Sequence, residues 1–228
     1  LLGVSPGSLD MIAISHGHYD HTGGLYHVLK HAGKPLPVYL HEAAFKPRFS
    51  VSKGERHFVG IPYRKEQLST LGADWQLVSQ PQQLLPGLWL SGAVPRSTVY
   101  ETGDLRLVES NPESGCDCQD EIDDDMALFY TSEKGLVVIS GCTHSGLVNM
   151  VKHGMAVTGA TRLHGWIGGT HLGPVFAPQQ DQTIAQLQAF NPDFVAANHC
   201  TGFRMMARLQ EAFGERFIPA FVSTVIEF

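Results

Sequence analysis

The stretch SHGHYDH, residues 15–21, contains three histidines and one aspartate directly after the apolar run 11–14. Residues two apart in an extended chain point the same way, so His16 and His18 can reach one metal ion. Asp20 and His21 lie on the following turn and can face a second ion. Imidazole and carboxylate ligands suit zinc, manganese or iron. The spacing therefore predicts two adjacent divalent metal ions, with zinc first among the candidates.

Two such ions indicate a particular chemistry. Metals about 3.5–4 Å apart can share one hydroxide and stabilise a leaving oxygen. Zinc that keeps an open position lowers the pKa of its bound water to about 7. We therefore predict hydrolysis, with Asp20 as the catalytic residue that orients the hydroxide and takes its proton. Each ion needs further ligands from elsewhere in the chain.

Those further ligands are sought in other loops that follow predicted apolar strands. His144 lies in GCTHSG and His199 in HCTG. Strand-end loops at one edge of a sheet converge, so we predict both histidines as metal ligands. His171, in GGTHLG, and Cys142 have the same context. For both residues the sequence leaves two interpretations open: a contact with metal or substrate, or a structural role.

The apolar periodicity predicts an α/β protein. The first half is expected to start with a β-α-β unit: a buried strand at Leu9–Ile14, a helix opening at Thr22-Gly23-Gly24, and a strand at Val38–Leu40. In the second half we expect an acidic loop at 113–125, a hairpin over 126–140, and helices near 147–157, 179–190 and 203–213. We also expect a strand that ends in a glycine-rich loop within 163–172, and strands at 193–198 and 217–227.

Residues 45–66 lack clear periodicity and contain six basic residues and four aromatic ones. We predict a long loop or a lid over the site. Arg48, Arg56 and Arg64 would grip a phosphate, and the aromatic side chains would stack on a flat ring. A solvated loop explains the same composition equally well.

Charge and composition limit the partners. The 228 residues carry a net charge of −6, which disfavours nucleic acid. No apolar run approaches the roughly 20 residues of a membrane helix. Four cysteines are few for a disulfide scaffold and indicate thiols in a reducing, cytoplasmic compartment. A small-molecule substrate is the expected partner, and oligomeric state is not predicted. The chain begins with Leu1, and we expect that an N-terminal segment precedes it.

Three motifs in order, SHGHYDHTGG, ISGCTHSG and ANHCTG, carry a family resemblance. Together they resemble the metallo-β-lactamase superfamily over essentially the whole chain. VVISGCTHSG, GGTHL and HCTGF look more narrowly like the subgroup that includes archaeal 7,8-dihydropterin-6-ylmethyl-4-(β-D-ribofuranosyl)aminobenzene 5′-phosphate synthases. The resemblance implies a single domain over residues 1–228, an αβ/βα sandwich lacking its first N-terminal β-hairpin here, and a dinuclear metal site at one edge.

The resemblance also implies roles for the candidate ligands. His16 and His18 match ligands of the first metal, which His144 completes. Asp20 and His21 match ligands of the second metal, and His199 matches the final histidine of the family pattern.

The chain departs from the family pattern in three places. The aspartate that usually braces the histidine loop would precede Leu1. The acidic pair Asp124-Asp125 occupies the place of a usual histidine before the second-half hairpin. Cys142 stands where an aspartate usually bridges the two metals.

Three functions fit these observations. The first is a metal-dependent hydrolase that acts on a small anionic substrate, phosphorylated or ring-containing, through metal-bound hydroxide. The second is a transferase that condenses a pterin diphosphate and releases pyrophosphate. The third is a non-catalytic sensor of a metal or ligand.

Overall fold

A computed structural model describes residues 3–110, 115 and 117–228. The chain divides into two compact units. Unit 1 comprises Leu1–Ser79 and Leu105–Asp124, and unit 2 comprises Gln80–Asp104 and Asp125–Phe228. The single domain expected over residues 1–228 stays a prediction. No helix within the described ranges is long and apolar enough to cross a membrane.

The elements follow one another in the following order. The strands are β1 (Ile12–Ala13), β2 (Leu36–Leu40), β3 (Arg48–Ser52), β4 (Glu55–Phe58), β5 (Ala73–Leu77), β6 (Gln82–Leu85), β7 (Leu88–Leu90), β8 (Leu107–Ser110), β9 (Asp117–Gln119), β10 (Ala127–Ser132), β11 (Gly135–Ser140), β12 (Leu163–Gly169), β13 (Phe194–Asn198) and β14 (Phe217–Pro219). The α-helices are α1 (Tyr19–Thr22), α2 (Leu25–Ala32), α3 (Lys65–Thr70), α4 (Leu147–Thr158), α5 (Ala177–Phe190) and α6 (Gly202–Phe213).

Unit 1 begins with a parallel sheet in the order β1-β2-β5. Alternate residues of β2 are buried, as expected for a strand with one face on a core. Leu25 and Leu29 of α2 and Leu68 of α3 belong to that core. Because β1 and β2 are parallel and joined through α1 and α2, the predicted β-α-β unit is confirmed. It leaves the histidine motif in the loop directly after β1.

Residues 45–66, which were predicted as a loop or lid, contain two strands that belong to a second sheet of unit 1. β3 and β4 form an antiparallel hairpin, and the sheet order is β4-β3-β8-β9. Phe49 and Phe58 face each other across the hairpin, with ring centroids 5.6 Å apart. Lys53 and Gly54 supply the positive φ angles of its turn. The prediction failed because polar residues fill the exposed face of these short strands, which hides their alternation.

Unit 2 contains a seven-stranded sheet in the order β14-β13-β12-β11-β10-β7-β6. The predicted hairpin over 126–140 is confirmed as β10 and β11. Strands β11, β12 and β13 run parallel to one another, so the loops after all three leave the same edge of the sheet. A core that includes Phe129, Trp166 and Leu209 underlies this sheet.

The observed boundaries of several elements differ from the predicted ones. The first strand is shorter than Leu9–Ile14 and is only partly buried. Residues 163–172 form, as predicted, a strand that ends in a glycine-rich loop; the strand ends at Gly169, because Gly168 has a positive φ and the chain turns there. The last strand covers only Phe217–Pro219 of the predicted 217–227. The acidic loop predicted at 113–125 contains β9, and its residues 113, 114 and 116 lie outside the described part of the chain.

Candidate metal centre

Unit 1 positions a cluster of imidazoles in residues 15–22, called here the histidine loop. His16 and His18 are buried, and His16 Nε2 lies 3.0 Å from His18 Nδ1. The rings of His16 and His21 have centroids 4.2 Å apart. Asp20 is exposed on α1, and its Oδ2 lies 3.5 Å from His21 Nε2. The loop thus brings three imidazoles and a carboxylate together.

The electrostatics of the loop suit a metal ion. Burial, followed by the nearby Arg48 guanidinium, lowers the pKa of His18 to about 4. A neutral imidazole keeps the lone pair that a metal requires, whereas a protonated one does not. His18 is therefore in the ligating form at neutral pH. The donor atoms of the histidine loop therefore suit a divalent metal ion.

The loop is held by a close backbone contact and an acidic brace. Gly17 N donates a hydrogen bond to Asp124 Oδ2 at 2.7 Å. A Cβ atom at position 17 would lie 2.1 Å from the carbonyl oxygen of Ala44, so only glycine fits there. Asp124 is fully buried and also pairs with Arg48. Asp124, whose role the sequence did not suggest, therefore holds the loop in place.

The structure corrects the role predicted for Arg48 in the substrate lid. Its side chain is 1% exposed and pairs with Asp120 as well as Asp124. The prediction that Arg48 grips a substrate is wrong, because its charge is already used inside unit 1. Arg56 pairs with Asp117 on the surface of the hairpin. Arg64 is exposed immediately before α3.

Unit 2 brings together another set of donors at the ends of three neighbouring strands. Cys142 and His144 follow β11, His171 follows β12, and Cys200 follows β13. The ligand atoms of Cys142, His171 and Cys200 all lie within 4.8 Å of one another, and we call these three residues the thiol cluster. The ring of His144 lies 4.1 Å from that of His171, between centroids.

The backbone of these loops is strained. Thr143, His171 and His199 have φ angles of 67°, 45° and 50°, in the left-handed region that non-glycine residues rarely adopt. Strained backbone of this kind is common at functional sites, where the surrounding structure holds a loop in place. His199 is exposed in a short 3₁₀ turn after β13, while His144 is buried.

His171 has an acidic partner that the sequence did not reveal. Its Nε2 lies 3.3 Å from Asp104 Oδ2. Burial lowers the pKa of His171, but the hydrogen bonds with Asp104 and Cys200 outweigh burial and raise it to about 9. The contact with Cys142 and the imidazole of His171 lower the pKa of the Cys200 thiol, against the opposing effect of burial. The thiol cluster therefore favours the thiolate form of Cys200.

The loop that carries Cys142 and His144 is also braced by acidic and basic side chains. Asp125 is buried and accepts hydrogen bonds from Ser145 N at 2.8 Å and Ser145 Oγ at 2.6 Å. Arg96 donates to the carbonyl oxygen of His144 at 3.1 Å. Glu101 accepts from the first turn of α4. The sequence signals for Asp125 were its place in an acidic run, which usually marks a solvated loop, and its position where the family pattern usually has a histidine.

Comparison with known proteins identifies the family. The sequence model of the Metallo-beta-lactamase superfamily matches residues 1–124. The chain therefore belongs to the metallo-β-lactamase superfamily. Membership implies that the protein binds divalent metal.

Two relatives come from Methanocaldococcus jannaschii. The 7,8-dihydropterin-6-methyl-4-(beta-D-ribofuranosyl)-aminobenzene-5'-phosphate synthase is 32% identical over 237 residues, which cover 100% of this chain and 78% of that protein. An uncharacterized protein is 30% identical over 218 residues, which cover 95% of this chain and 78% of that protein.

A solved structure confirms the fold. The crystal structure of a metal-dependent hydrolase of the beta-lactamase superfamily matches with a TM-score of 0.79 at 22% identity. The match covers 95% of this chain and 78% of that chain. The expected α/β metallo-β-lactamase fold is therefore confirmed.

Proposed function

We propose that this protein is a metal-dependent hydrolase that acts on a small anionic substrate. The observation that carries the proposal is the histidine loop, in which buried imidazoles and a carboxylate meet at the end of a strand. Family membership supports it, since this superfamily is usually hydrolytic. A cytoplasmic location and the exclusion of nucleic acid and membranes as partners remain proposals from composition and charge.

We propose two divalent ions as the cofactor, with zinc first and manganese or iron as the other candidates. Such ions acidify water and neutralise negative charge on a reacting group. The proposed ligands rest on the sequence motifs and the family pattern. They are His16, His18, Asp20, His21, His144 and His199.

The protein's own residues would then position the reactants. Asp20 is exposed beside His21, so it can accept a proton from the attacking water. The buried brace formed by Gly17, Asp124 and Arg48 holds the loop at a fixed geometry. Fixed positions matter because small displacements of reacting groups reduce rates strongly.

A cavity in unit 1 supports the proposed substrate class. It has a volume of about 270 Å³ and lies in the segment that was predicted as a lid. Its lining includes three cationic and three aromatic side chains, which suit a phosphate and a flat ring. These are Lys46, Arg64, Lys65, Phe45, Phe58 and Tyr63.

The cavity lies beside the helix that carries Asp20. Tyr63 Oη, from the cavity wall, donates to the carbonyl oxygen of Gly23 at 3.1 Å, just after α1. Tyr19 N, at the start of α1, donates to the carbonyl oxygen of Val59 at 2.9 Å. A substrate anchored here by Arg64 and Lys65 could present its reactive group to α1.

A second candidate is a synthase that condenses a pterin diphosphate with release of pyrophosphate. The specific observation in its favour is the 32% identity to the synthase over the whole of this chain. The cavity suits this reaction too, because its cations would hold a diphosphate and its aromatic side chains a pterin. The two candidates differ in whether water or a second organic substrate attacks.

Metal analysis comes first as a test. We expect about two divalent ions per chain in the parent protein. His16→Ala and His199→Ala should each lower that content and abolish turnover of the substrate on which the parent is active. His31→Ala is the matched control, because His31 is exposed on α2 and bonds to the carbonyl oxygen of His27. Full metal content in both His16→Ala and His199→Ala would overturn the proposed ligands.

Product analysis separates the two reactions. The parent would be given phosphomonoesters, phosphodiesters and lactones, and separately a dihydropterin diphosphate with and without an aminobenzene riboside phosphate. Hydrolysis of a single substrate supports the hydrolase. Pyrophosphate release that depends on the second substrate, with a coupled product, supports the synthase instead. Binding of metal with no turnover in either assay would favour a sensor.

A further inference from the structure

The histidine loop packs against a short turn that follows the neighbouring strand. β1 and β2 are parallel neighbours, so the histidine loop and the chain after β2 leave the same edge of their sheet. The chain after β2 forms a short 3₁₀ helix over Glu42–Phe45, called here the support turn. Ala44 of this turn is fully buried in the core of unit 1. A Cβ atom on Gly17 would lie 2.1 Å from the carbonyl oxygen of Ala44, so the support turn touches the histidine loop at Gly17.

The contact at Gly17 places the support turn behind the candidate ligands. Alternate residues of an extended chain point to opposite sides. His16 and His18 meet on one side, since His16 Nε2 lies 3.0 Å from His18 Nδ1. Gly17, between them, faces Ala44. A shift of the support turn would therefore displace both imidazoles without contacting either of them.

The side chain of His41 fixes the start of the support turn. His41 directly precedes the turn, and its Nδ1 accepts a hydrogen bond from Ala43 N at 3.1 Å. This bond satisfies one of the backbone N–H groups that the first turn of a helix leaves without an internal partner. Arg48 Nη2 donates to the carbonyl oxygen of Ala43 at 3.2 Å. Ala43 is thus held at its N–H by His41 and at its carbonyl oxygen by Arg48.

The imidazole of His41 can accept this bond only while Nδ1 carries no proton. Burial lowers the pKa of His41 below its ordinary value, against the opposing charges of Glu42 and Asp123. The ring is therefore neutral at neutral pH, with its proton on Nε2. None of the proposed metal ligands takes part in the bond, so it does not depend on a bound ion.

We propose that His41 is a positioning residue for the metal centre, which acts through the support turn to hold the histidine loop in its ligating geometry. The proposal rests on the proposed function, because it takes the histidine loop as metal-binding. Gly17 is then held from two directions, by Asp124 at its N–H and by the support turn at its Cα. Loss of an outer group that orients metal ligands typically lowers metal affinity about 10–100-fold. His41 acts through the support turn, so we expect about tenfold, the lower end of that range.

Two measurements on the full-length protein test this role. The first is hydrogen–deuterium exchange of the metal-free protein, followed by mass spectrometry of the peptide over residues 15–22. The second is the affinity for cobalt(II), measured by competition with a coloured chelator. His41→Ala removes the acceptor of the Ala43 N–H. Exchange in the histidine loop should become on the order of fivefold faster, and cobalt should bind about tenfold more weakly.

Two matched variants make the test specific. His41→Asn supplies a side-chain oxygen that can accept the Ala43 N–H, as asparagine does at helix N-termini, and should return both measurements to within about twofold of the parent. Leu68→Val shortens a fully buried side chain of the same core, on α3. It should lower the thermal midpoint and leave loop exchange and cobalt affinity unchanged. Circular dichroism identifies a variant that fails to fold, and His41→Leu, which fills the buried space without an acceptor, then replaces His41→Ala.

The outcomes separate this proposal from the proposed function. Parent-like exchange or parent-like cobalt affinity in His41→Ala would overturn the positioning role. Failure of His41→Asn to restore the two values would also overturn it. An equal loss in Leu68→Val would do the same, because the effect would then reflect the stability of unit 1 alone. A parent protein that binds no cobalt would overturn the proposed hydrolase, while the exchange measurement, which needs neither metal nor turnover, would still decide the role of His41.

Discussion

The histidine loop of unit 1 and the thiol cluster of unit 2 are built in opposite ways. The loop takes four candidate ligands from residues 16–21, all nitrogen and oxygen donors. The cluster takes three donors from positions as far apart as 142 and 200, two of them sulfur. The loop is therefore visible in the sequence as a motif, whereas the cluster exists only because β11, β12 and β13 are parallel neighbours.

The two regions also differ in what supports them. The histidine loop is supported by a buried ion-pair network around Arg48, with Asp120 and Asp124. The thiol cluster is supported by one carboxylate, Asp104, and by hydrogen bonds to backbone and sulfur. Removing one charge from a buried ion-pair network leaves its partners unpaired, whereas losing a single hydrogen bond to backbone or sulfur costs less. This difference leads to predictions that affect one region and spare the other.

The largest effect is expected from Arg48→Ala. It leaves two buried carboxylates without their cation, so the free energy of unfolding should fall by about 3–5 kcal/mol. Arg56→Ala is the control, because its ion pair with Asp117 is more than one-third exposed on the arginine side and should be worth about 1 kcal/mol or less. Urea unfolding of both variants measures the difference. Equal losses would mean that the network around Arg48 does not support unit 1.

A smaller effect is expected from Gly17→Ala. Its Cβ atom would overlap the Ala44 carbonyl, so the loop must shift. Overpacking of this kind costs about 1–3 kcal/mol. The shift should also weaken metal binding by the histidine loop. Gly24→Ala has no atom within 4 Å of its Cβ and should leave stability and metal content unchanged or slightly improved. Normal metal affinity in Gly17→Ala would contradict the close packing.

Asp125→Ala tests the corresponding brace in unit 2. It removes the acceptor of two hydrogen bonds from Ser145 and leaves a buried N–H unsatisfied, which costs about 1–3 kcal/mol. Asp125→Asn keeps one acceptor and should lose less. Thermal unfolding measures both variants, and cobalt binding shows whether the loop of Cys142 and His144 has moved. If Asp125→Asn destabilises the protein as much as Asp125→Ala does, the stabilisation comes from the charge of Asp125 and not from its hydrogen bonds.

The smallest effect concerns pH. Hydrogen bonds from Arg162, and then from His164, lower the pKa of Asp193 below its usual value. Its stabilising contribution is therefore complete above the unfolded-state pKa of about 4 and is lost as pH falls through the lower folded-state value. Asp193 is nearly half exposed, so the contribution should stay within about 1 kcal/mol. Asp193→Asn should flatten the acid side of the stability curve, and an unchanged curve would refute the assignment.

Sequence reasoning located some elements better than others. The hairpin over 126–140 was predictable because a β-rich run on each side of Glu133-Lys134-Gly135 is a local pattern. The hairpin of β3 and β4 was missed because its pairing with β8 is long-range and its exposed face is polar. Short strands of this kind are stabilised by their partners, and their own residues contain little signal.

The sequence by itself determined the family, the fold class and the histidine motif, because those depend on residue types at short, regular spacing. Only the tertiary structure decided that Arg48 is buried, that Asp124 braces the histidine loop, and that Asp104 faces His171. Charged residues are usually exposed, so a buried pairing across long sequence separation leaves no local pattern. The physical reason is that burial and pairing are properties of the folded chain, in which distant residues share a low-dielectric surrounding.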